Sequence, residues 1–406
     1  MHQVYLAGRD ARFAVDEGET ILAAGLRQRF MLPFGCQSGG CGSCRVRLLQ
    51  GEVEHRLPPP ALSAAEIEAG YILMCLAQPK SDLRIDLHQP PQLENLRPRQ
   101  LPCRALGREM LADDVIRFVV KLPKGERFDY LPGQYIDFLL EDGRRRSFSL
   151  ANAPNGETLE MHLRITPGGR FARWVQQEMP DRAILRFEGP LGAFYIREDS
   201  AQPTDPDAPA SPARDAQQRP SRTEAQLPQT EAAPQRPMHT DPRVPRALDA
   251  QQRPTHTDVR VPRAQDAQER PIVMMAGGTG FAPIKAMLEG LFAGGLKRPV
   301  HLFWGARRRA DLYLHALVEQ WATQHALFRY TPVLSEPDAD WQGESGFVHE
   351  AVLRAHPRLE GHAAYLSGPP AMVRAGKDAF VAAGLDADHL YYDSFDYAFE
   401  TWPKQG

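Results

Sequence analysis

The stretch FGCQSGGCGSCR, residues 34–45, constrains this chain more than any other. It sets Cys36, Cys41 and Cys44 at the spacing C-x4-C-x2-C, and Cys75 follows after 30 intervening residues. Four thiolates so spaced can hold a [2Fe-2S] cluster. Gly35, Gly39, Gly40 and Gly42 let the backbone wrap closely around such a group and turn amide hydrogens toward its sulfurs. Two other uses of the cysteines fit less well. Loops this short seldom reach disulfide geometry. Zinc usually takes two separated C-x2-C pairs, whereas the fourth cysteine here stands alone in YILMCLAQP.

At 406 residues the chain has room for several domains of about 100 to 200 residues each. Lys and Arg total 48 against 51 Asp and Glu, a net charge of −3 that offers no electrostatic reason to bind nucleic acid or a membrane surface. The longest apolar runs fall far short of the roughly 20 residues of a membrane span, and no basic-then-apolar leader is evident. Cluster thiolates also agree with a reducing compartment. The expectation is a cytoplasmic monomer. Cys103, the fifth cysteine, reads as a small hydrophobe.

Residues 2–6 and 11–15 alternate like a hairpin about Gly8, Arg9 and Asp10, and Thr20 caps a helix running to Arg29. Arg45–Leu49 and Leu83–Leu87 alternate as strands, and Ser63 with Glu66 forms a capping box before Cys75. A first domain therefore covers residues 1–90, and the proline-bearing stretch 91–100 reads as a semi-rigid linker. Residues 101–199 hold many short alternating segments, among them VIRFVVKLP, QYIDFLL, RSFSLAN, LEMHLRI and AILRFEGP, the pattern of a small antiparallel barrel. Within it, Gly168 and Gly169 open a helix at Arg170 and Phe171, whose free amide hydrogens suit a pyrophosphate.

The composition then changes. Residues 200–270 contain twelve prolines, no glycine, no aromatic residue and ten Arg against ten Asp and Glu, so the segment is expected to be disordered. DAQQRP at 215–220 and 249–254 and DAQERP at 266–271 follow a 17-residue period without an apolar face, which reads as a duplicated linker rather than a solenoid. From residue 271 to 406 strands and helices alternate, as in a parallel α/β domain. Its first strand, IVMMA, runs into Gly277, Gly278, Thr279, Gly280 and Pro283 and then a helix, the arrangement that cradles a dinucleotide.

Residues 1–88 resemble the ferredoxins, which implies a β-grasp fold and Cys36, Cys41, Cys44 and Cys75 as iron ligands. The remainder resembles the ferredoxin-NADP reductase superfamily. Arg146-Ser147-Phe148-Ser149 matches that superfamily's R-x-Y-S flavin motif, with phenylalanine in place of tyrosine. The resemblance implies that Arg146 binds flavin phosphate, Phe148 packs on the ring system and Ser149 faces its nitrogens. It further implies that Gly168 to Phe171 meet the pyrophosphate and that Ser367-Gly368-Pro369, a C-G-P-P-like loop with serine for cysteine, flanks the nicotinamide. Asp393 and Phe395, in the terminal segment, would stand beside the reactive flavin ring. Deleting the insert joins barrel to nucleotide domain as that superfamily normally does.

The resulting expectation is a multidomain protein of β-grasp, FAD barrel, disordered insert and NAD(P) domain. It passes electrons from a nicotinamide through FAD and a [2Fe-2S] cluster to an electron-accepting protein. Outside the insert the chain most resembles the CDP-6-deoxy-Δ3,4-glucoseen reductases, so that the acceptor would be a dehydrase. The alternatives are the reductase component of an aromatic-ring dioxygenase or multicomponent monooxygenase and, from another class, a redox-sensing interaction protein. The resemblance implies NADH, while Arg307, Arg308 and Arg309 after the strand HLFWGA leave NADPH usable. Closing a long surface loop costs little, about 0.6 kcal/mol per doubling of its length. Removal of residues 201–269 is accordingly expected to leave NADH-dependent dye reduction nearly unchanged; a severe fall with FAD still bound would give the insert a role in domain closure.

Overall fold

The computed structural model describes residues 1–7, 11–30, 32–34, 37, 39–40, 42–62, 64–87, 96–197 and 270–394. The hairpin tip, Cys36, Cys41, Ser63, Phe395, residues 91–95 of the linker and residues 200–269 of the insert lie outside them.

The first module contains β1 (His2–Leu6), β2 (Arg12–Val15), α1 (Ile21–Arg27), β3 (Arg45–Gln50), β4 (Val53–His55), α2 (Ala64–Glu68), β5 (Tyr71–Leu73), β6 (Ala77–Pro79) and β7 (Leu83–Asp86). Five of the strands form a mixed sheet in the order β2-β1-β7-β3-β5, in which β1 and β7 run parallel. Thr20 caps α1, its hydroxyl accepting from the Ala23 amide at 3.2 Å, and α1 buries Ile21, Leu22 and Ala24 in a core with Val4, Phe13 and Ile85. This is the β-grasp plan.

The second module runs through β8 (Arg99–Ala112), β9 (Val115–Lys121), β10 (Tyr135–Leu139), β11 (Arg145–Ser149), β12 (Thr158–Arg164), α3 (Arg170–Gln177) and β13 (Ile184–Leu191). Its six strands pair antiparallel in the order β11-β10-β13-β8-β9-β12. The two edge strands meet where Leu150 bridges Met161 and the Ala151 amide donates to the Glu160 carbonyl at 2.7 Å, which closes the barrel and removes its open edges. Cys103 faces the barrel core, where burial pushes its thiol pKa up to about 12 and leaves it inert.

The third module holds β14 (Ile272–Gly277), α4 (Phe281–Ala293), β15 (Val300–Ala306), α5 (His315–Gln324), β16 (Phe328–Leu334), β17 (Glu344–Ser345), α6 (Val348–Ala355), β18 (Ala363–Gly368), α7 (Pro370–Ala382) and β19 (Leu390–Ser394). All six strands are parallel, in the order β17-β16-β15-β14-β18-β19. The order reverses at β14, whose neighbours are β15 and β18. In such sheets the crevice outside the carboxyl ends of the strands at the reversal is where ligands bind. Here that crevice is formed by the loops after Gly277 and Gly368.

A buried polar cluster joins barrel to nucleotide domain. Lys285 of α4 donates to the Ala151 carbonyl at 2.8 Å and pairs with Glu160 of β12 at 3.1 Å, while Glu289, one turn on, accepts from the Ala153 amide at 2.9 Å. Burial works against the charge on Glu160, but the His162 hydrogen bond, the Lys285 ammonium and Arg117 together hold its carboxyl well below the usual range. Burial likewise favours neutral His162, which then donates to Glu160 at 3.1 Å and accepts the Tyr313 hydroxyl at 3.0 Å.

Candidate functional site

Three groups of residues point to three binding sites, each built by a different piece of backbone. At the cysteine loop, β3 and β5 pair antiparallel with Arg45 opposite Leu73, and the Met74 amide donates to the Cys44 carbonyl at 3.1 Å. That register brings Cys44, just before one strand, beside Cys75, just after the other, and both are buried. Gly39 and Gly42 adopt φ of 83° and 68°, left-handed values that side chains disfavour. Two soft donors in an apolar recess, approached by a glycine turn, fit a thiolate-held cluster. Cys36 and Cys41, the other two expected ligands, lie outside the described residues.

On the barrel, strand alternation divides the RSFS residues between two faces. Phe148 shares one face with Ile136, its cross-strand partner, and packs on Phe171 of α3 with ring centroids 5.3 Å apart. Ser147 and Ser149 take the other face; the Ser147 hydroxyl donates to Asp137 at 2.6 Å, and the Ser149 hydroxyl donates to Asp393 of β19 at 3.4 Å. Residues separated by 244 positions, both expected near the flavin ring, are thus in contact. The half-exposed Arg146 precedes Ser147 and Ser149 on the same strand, on the Phe148 face. Gly169 caps α3 and has no side chain to accept from the first-turn amides, which leaves those donors for an anion, and Arg170 is exposed beside them.

The glycine loop after β14 depends on missing side chains. Gly280 has an ordinary helical φ of −59°, so its backbone would tolerate any residue. A Cβ there would nonetheless stand 2.5 Å from the Ser367 carbonyl carbon and 2.7 Å from the Gly368 nitrogen. The two loops at the sheet reversal therefore touch backbone to backbone. Thr279 is half-exposed between them, and Pro283 lies buried in the first turn of α4. The Ser367 hydroxyl is fully buried and has no hydrogen-bond partner among the described residues. An orphaned polar atom beside a glycine cradle fits a ligand carrying its own donor or acceptor, as a carboxamide does.

Several contributing residues were not visible in the sequence. Trp304 of β15 donates to the Gly278 carbonyl at 3.1 Å and stacks on Phe281, holding the loop from below. Arg164, anchored by Asp114 at 2.8 Å, brings its guanidinium from the barrel to Gly278. Neither residue belongs to a local motif, so only tertiary proximity reveals them. A separate cavity of about 530 Å³ between barrel and α4, bordered by Glu160, Lys285 and Trp321, contains none of the expected site residues. Among the described residues no helix is long and apolar enough to cross a membrane.

A cluster recess, a flavin-type barrel and a dinucleotide cradle in one chain define an NAD(P)H-dependent iron-sulfur flavoprotein reductase. Residues 4–80 match the 2Fe-2S iron-sulfur cluster binding domain, 102–196 the oxidoreductase FAD-binding domain and 274–378 the oxidoreductase NAD-binding domain. The chain is 31% identical over 384 residues to the CDP-6-deoxy-L-threo-D-glycero-4-hexulose-3-dehydrase reductase of Yersinia pestis, covering 94% of this chain and 95% of that one. It is 26% identical to reductase component 1 of the terephthalate 1,2-dioxygenase of Comamonas sp, with 97% of each covered. Its fold matches the crystal structure of the Amycolatopsis cytochrome P450 reductase GcoB with a TM-score of 0.63 and 27% identity, over 97% of this chain and 99% of that one. The chain belongs to the family of [2Fe-2S]- and FAD-containing reductases that includes the Yersinia enzyme. It is an oxidoreductase whose cofactors are a [2Fe-2S] cluster, FAD and a nicotinamide nucleotide.

A Gly280→Ala variant is expected to weaken nicotinamide binding while keeping FAD, because the clash is with backbone that cannot step aside. Overpacking of this kind costs about 1–3 kcal/mol, so KM for NADH should rise by about tenfold or more at unchanged flavin content.

Proposed function

We propose that the chain carries electrons from NADH through FAD and the [2Fe-2S] cluster to a partner dehydrase acting on a CDP-linked 6-deoxyhexulose. The observation that carries the internal order is the Ser149–Asp393 contact, which joins the flavin strand of the barrel to the sheet edge of the nucleotide domain. The higher identity to the dehydrase reductase than to the dioxygenase component, at nearly equal coverage, favours a dehydrase as acceptor. The reductase component of an oxygenase is the second reading.

When bound, the nicotinamide supplies hydride, the flavin converts a two-electron donor into single electrons, and the cluster relays them. The chain's own residues bind and orient. Cys36, Cys41, Cys44 and Cys75 hold the iron. Arg146 and the α3 amides at Gly168 to Phe171 take the flavin phosphates, and Phe148 flanks the ring system. Ser149 and Asp393 stand at its polar edge, with Phe395 covering the ring. Gly277 to Gly280 and Pro283 cradle the nucleotide, while Ser367, Gly368 and Pro369 border the nicotinamide. NADH is taken in preference to NADPH, with Arg307, Arg308 and Arg309 leaving NADPH usable. A cytoplasmic monomer fits this reading.

Cys75→Ser is expected to abolish the cluster absorbance while leaving FAD bound and ferricyanide reduction intact, and Arg146→Ala to lose FAD while retaining iron. NADH-driven reduction of a purified CDP-6-deoxyhexulose dehydrase should proceed with wild type only, and NADPH should support a lower kcat/KM. Transfer to an oxygenase component instead, or a higher kcat/KM for NADPH, would redirect the assignment.

A further inference from the structure

The cysteine loop does not end in solvent. Arg45, the residue after Cys44, is 20% exposed and is held by groups from two modules. Within its own module it pairs with Glu66 of α2 and lies 4.9 Å over the Tyr71 ring. Its other nitrogen reaches across to the nucleotide domain, donating to the Ala387 carbonyl and to the Asp388 carboxylate, each at 3.2 Å. Glu66 and Tyr71 pin the guanidinium from behind, so its outward geometry is pre-set and little entropy is lost in making the cross-module bonds. The Ser43 hydroxyl adds a contact to the Tyr392 carbonyl at 3.4 Å.

Tyr392 also explains why residue 42 is glycine beyond its left-handed φ. Its hydroxyl accepts from Lys377 of α7 at 2.8 Å and occupies the place that a Cβ on residue 42 would take. The next residue along β19 is Asp393, which touches Ser149 on the flavin strand. From Ser43 through Tyr392 and Asp393 to Ser149, the cluster loop and the flavin strand are thus linked by two consecutive residues of one β-strand.

We propose that Arg45 is a positioning residue: with Gly42 and Ser43 it docks the cluster loop on β19 and so sets the separation across which the flavin hands electrons to the cluster. This rests on the electron order proposed above. In that step the reduced flavin loses one electron and the oxidised cluster gains one; no bond forms or breaks, and NADH is the ultimate reductant. Arg45 bonds to Glu66, Ala387 and Asp388, which are neither in the glycine cradle nor on β11, so reduction of the flavin by NADH is expected not to depend on it.

The test compares two acceptors in the holoenzyme, ferricyanide taking electrons at the flavin and cytochrome c taking them through the cluster. Cys75→Ser must lose cytochrome c reduction and keep ferricyanide reduction; if it keeps both, the electron order itself is wrong, whatever the state of the dock. With that control in place, Arg45→Gln is expected to lower cytochrome c reduction about tenfold, as loss of hydrogen bonds to a charged group allows. Ferricyanide reduction, KM for NADH, iron and FAD should stay unchanged, and Arg45→Lys should restore part of the rate. Asp388→Ala, on the exposed partner surface away from the cluster, is expected to cost about twofold. Hydrogen exchange should rise in both variants within residues 42–50 and 386–394. An unchanged cytochrome c rate, a parallel fall in both rates with cofactors intact, or exchange that rises on one side of the dock only would overturn the proposal. If Arg45→Gln loses iron, Asp388→Ala decides it, and an unaltered ratio of the two rates there counts against it.

Discussion

Much of this molecule depends on one property of an extended strand, that successive residues face opposite ways. Among the described residues β19 is an edge strand of the nucleotide sheet, paired with β18. Its free side would be a liability if left open. Instead, the Tyr392 carbonyl receives Ser43 of the cluster module, and the Asp393 carboxylate receives Ser149 of the barrel. A single strand thereby becomes the meeting line of three modules, and residues expected to lie near two different cofactors become neighbours along one backbone.

Apolar packing also joins the first module to the barrel near the start of the cysteine loop. Phe34 meets Tyr135 of β10 edge-on with centroids 6.2 Å apart, and Leu191 of β13 joins the core of the first module. Tyr135 is the cross-strand partner of Ser149. Barrel and cluster module therefore share an apolar seam beside β11. Between barrel and nucleotide domain the joint is charged and buried, through Lys285, Glu160 and Glu289. Such a network contributes little net stability compared with apolar packing, but removing one member strands the others without solvent, which makes the relative orientation of the two modules costly to disturb.

The glycine loop after β14 illustrates a constraint read from side chains that are absent. A glycine-rich loop after an apolar strand indicates close backbone approach, and Gly280 shows what approaches: the peptide between Ser367 and Gly368, whose own φ of 146° only glycine adopts readily. The two loops interlock because both lack Cβ atoms at the contact.

The sequence by itself determined the parts: a cluster loop from cysteine spacing, a barrel from short alternating segments, a parallel α/β domain from alternating elements, and the glycine loops within them. These signals are local, since spacing, periodicity and turn chemistry operate over a few residues. Only the tertiary structure decided which parts touch. The pairing of Ser149 with Asp393, the reach of Arg45 to Asp388, the position of Arg164 beside Gly278 and the close approach of Gly280 to Ser367 each join residues far apart in the chain. An arginine after a cysteine or an aspartate near the end of a chain carries no mark of its partner, because such contacts follow from sheet order and module docking, which no local pattern encodes.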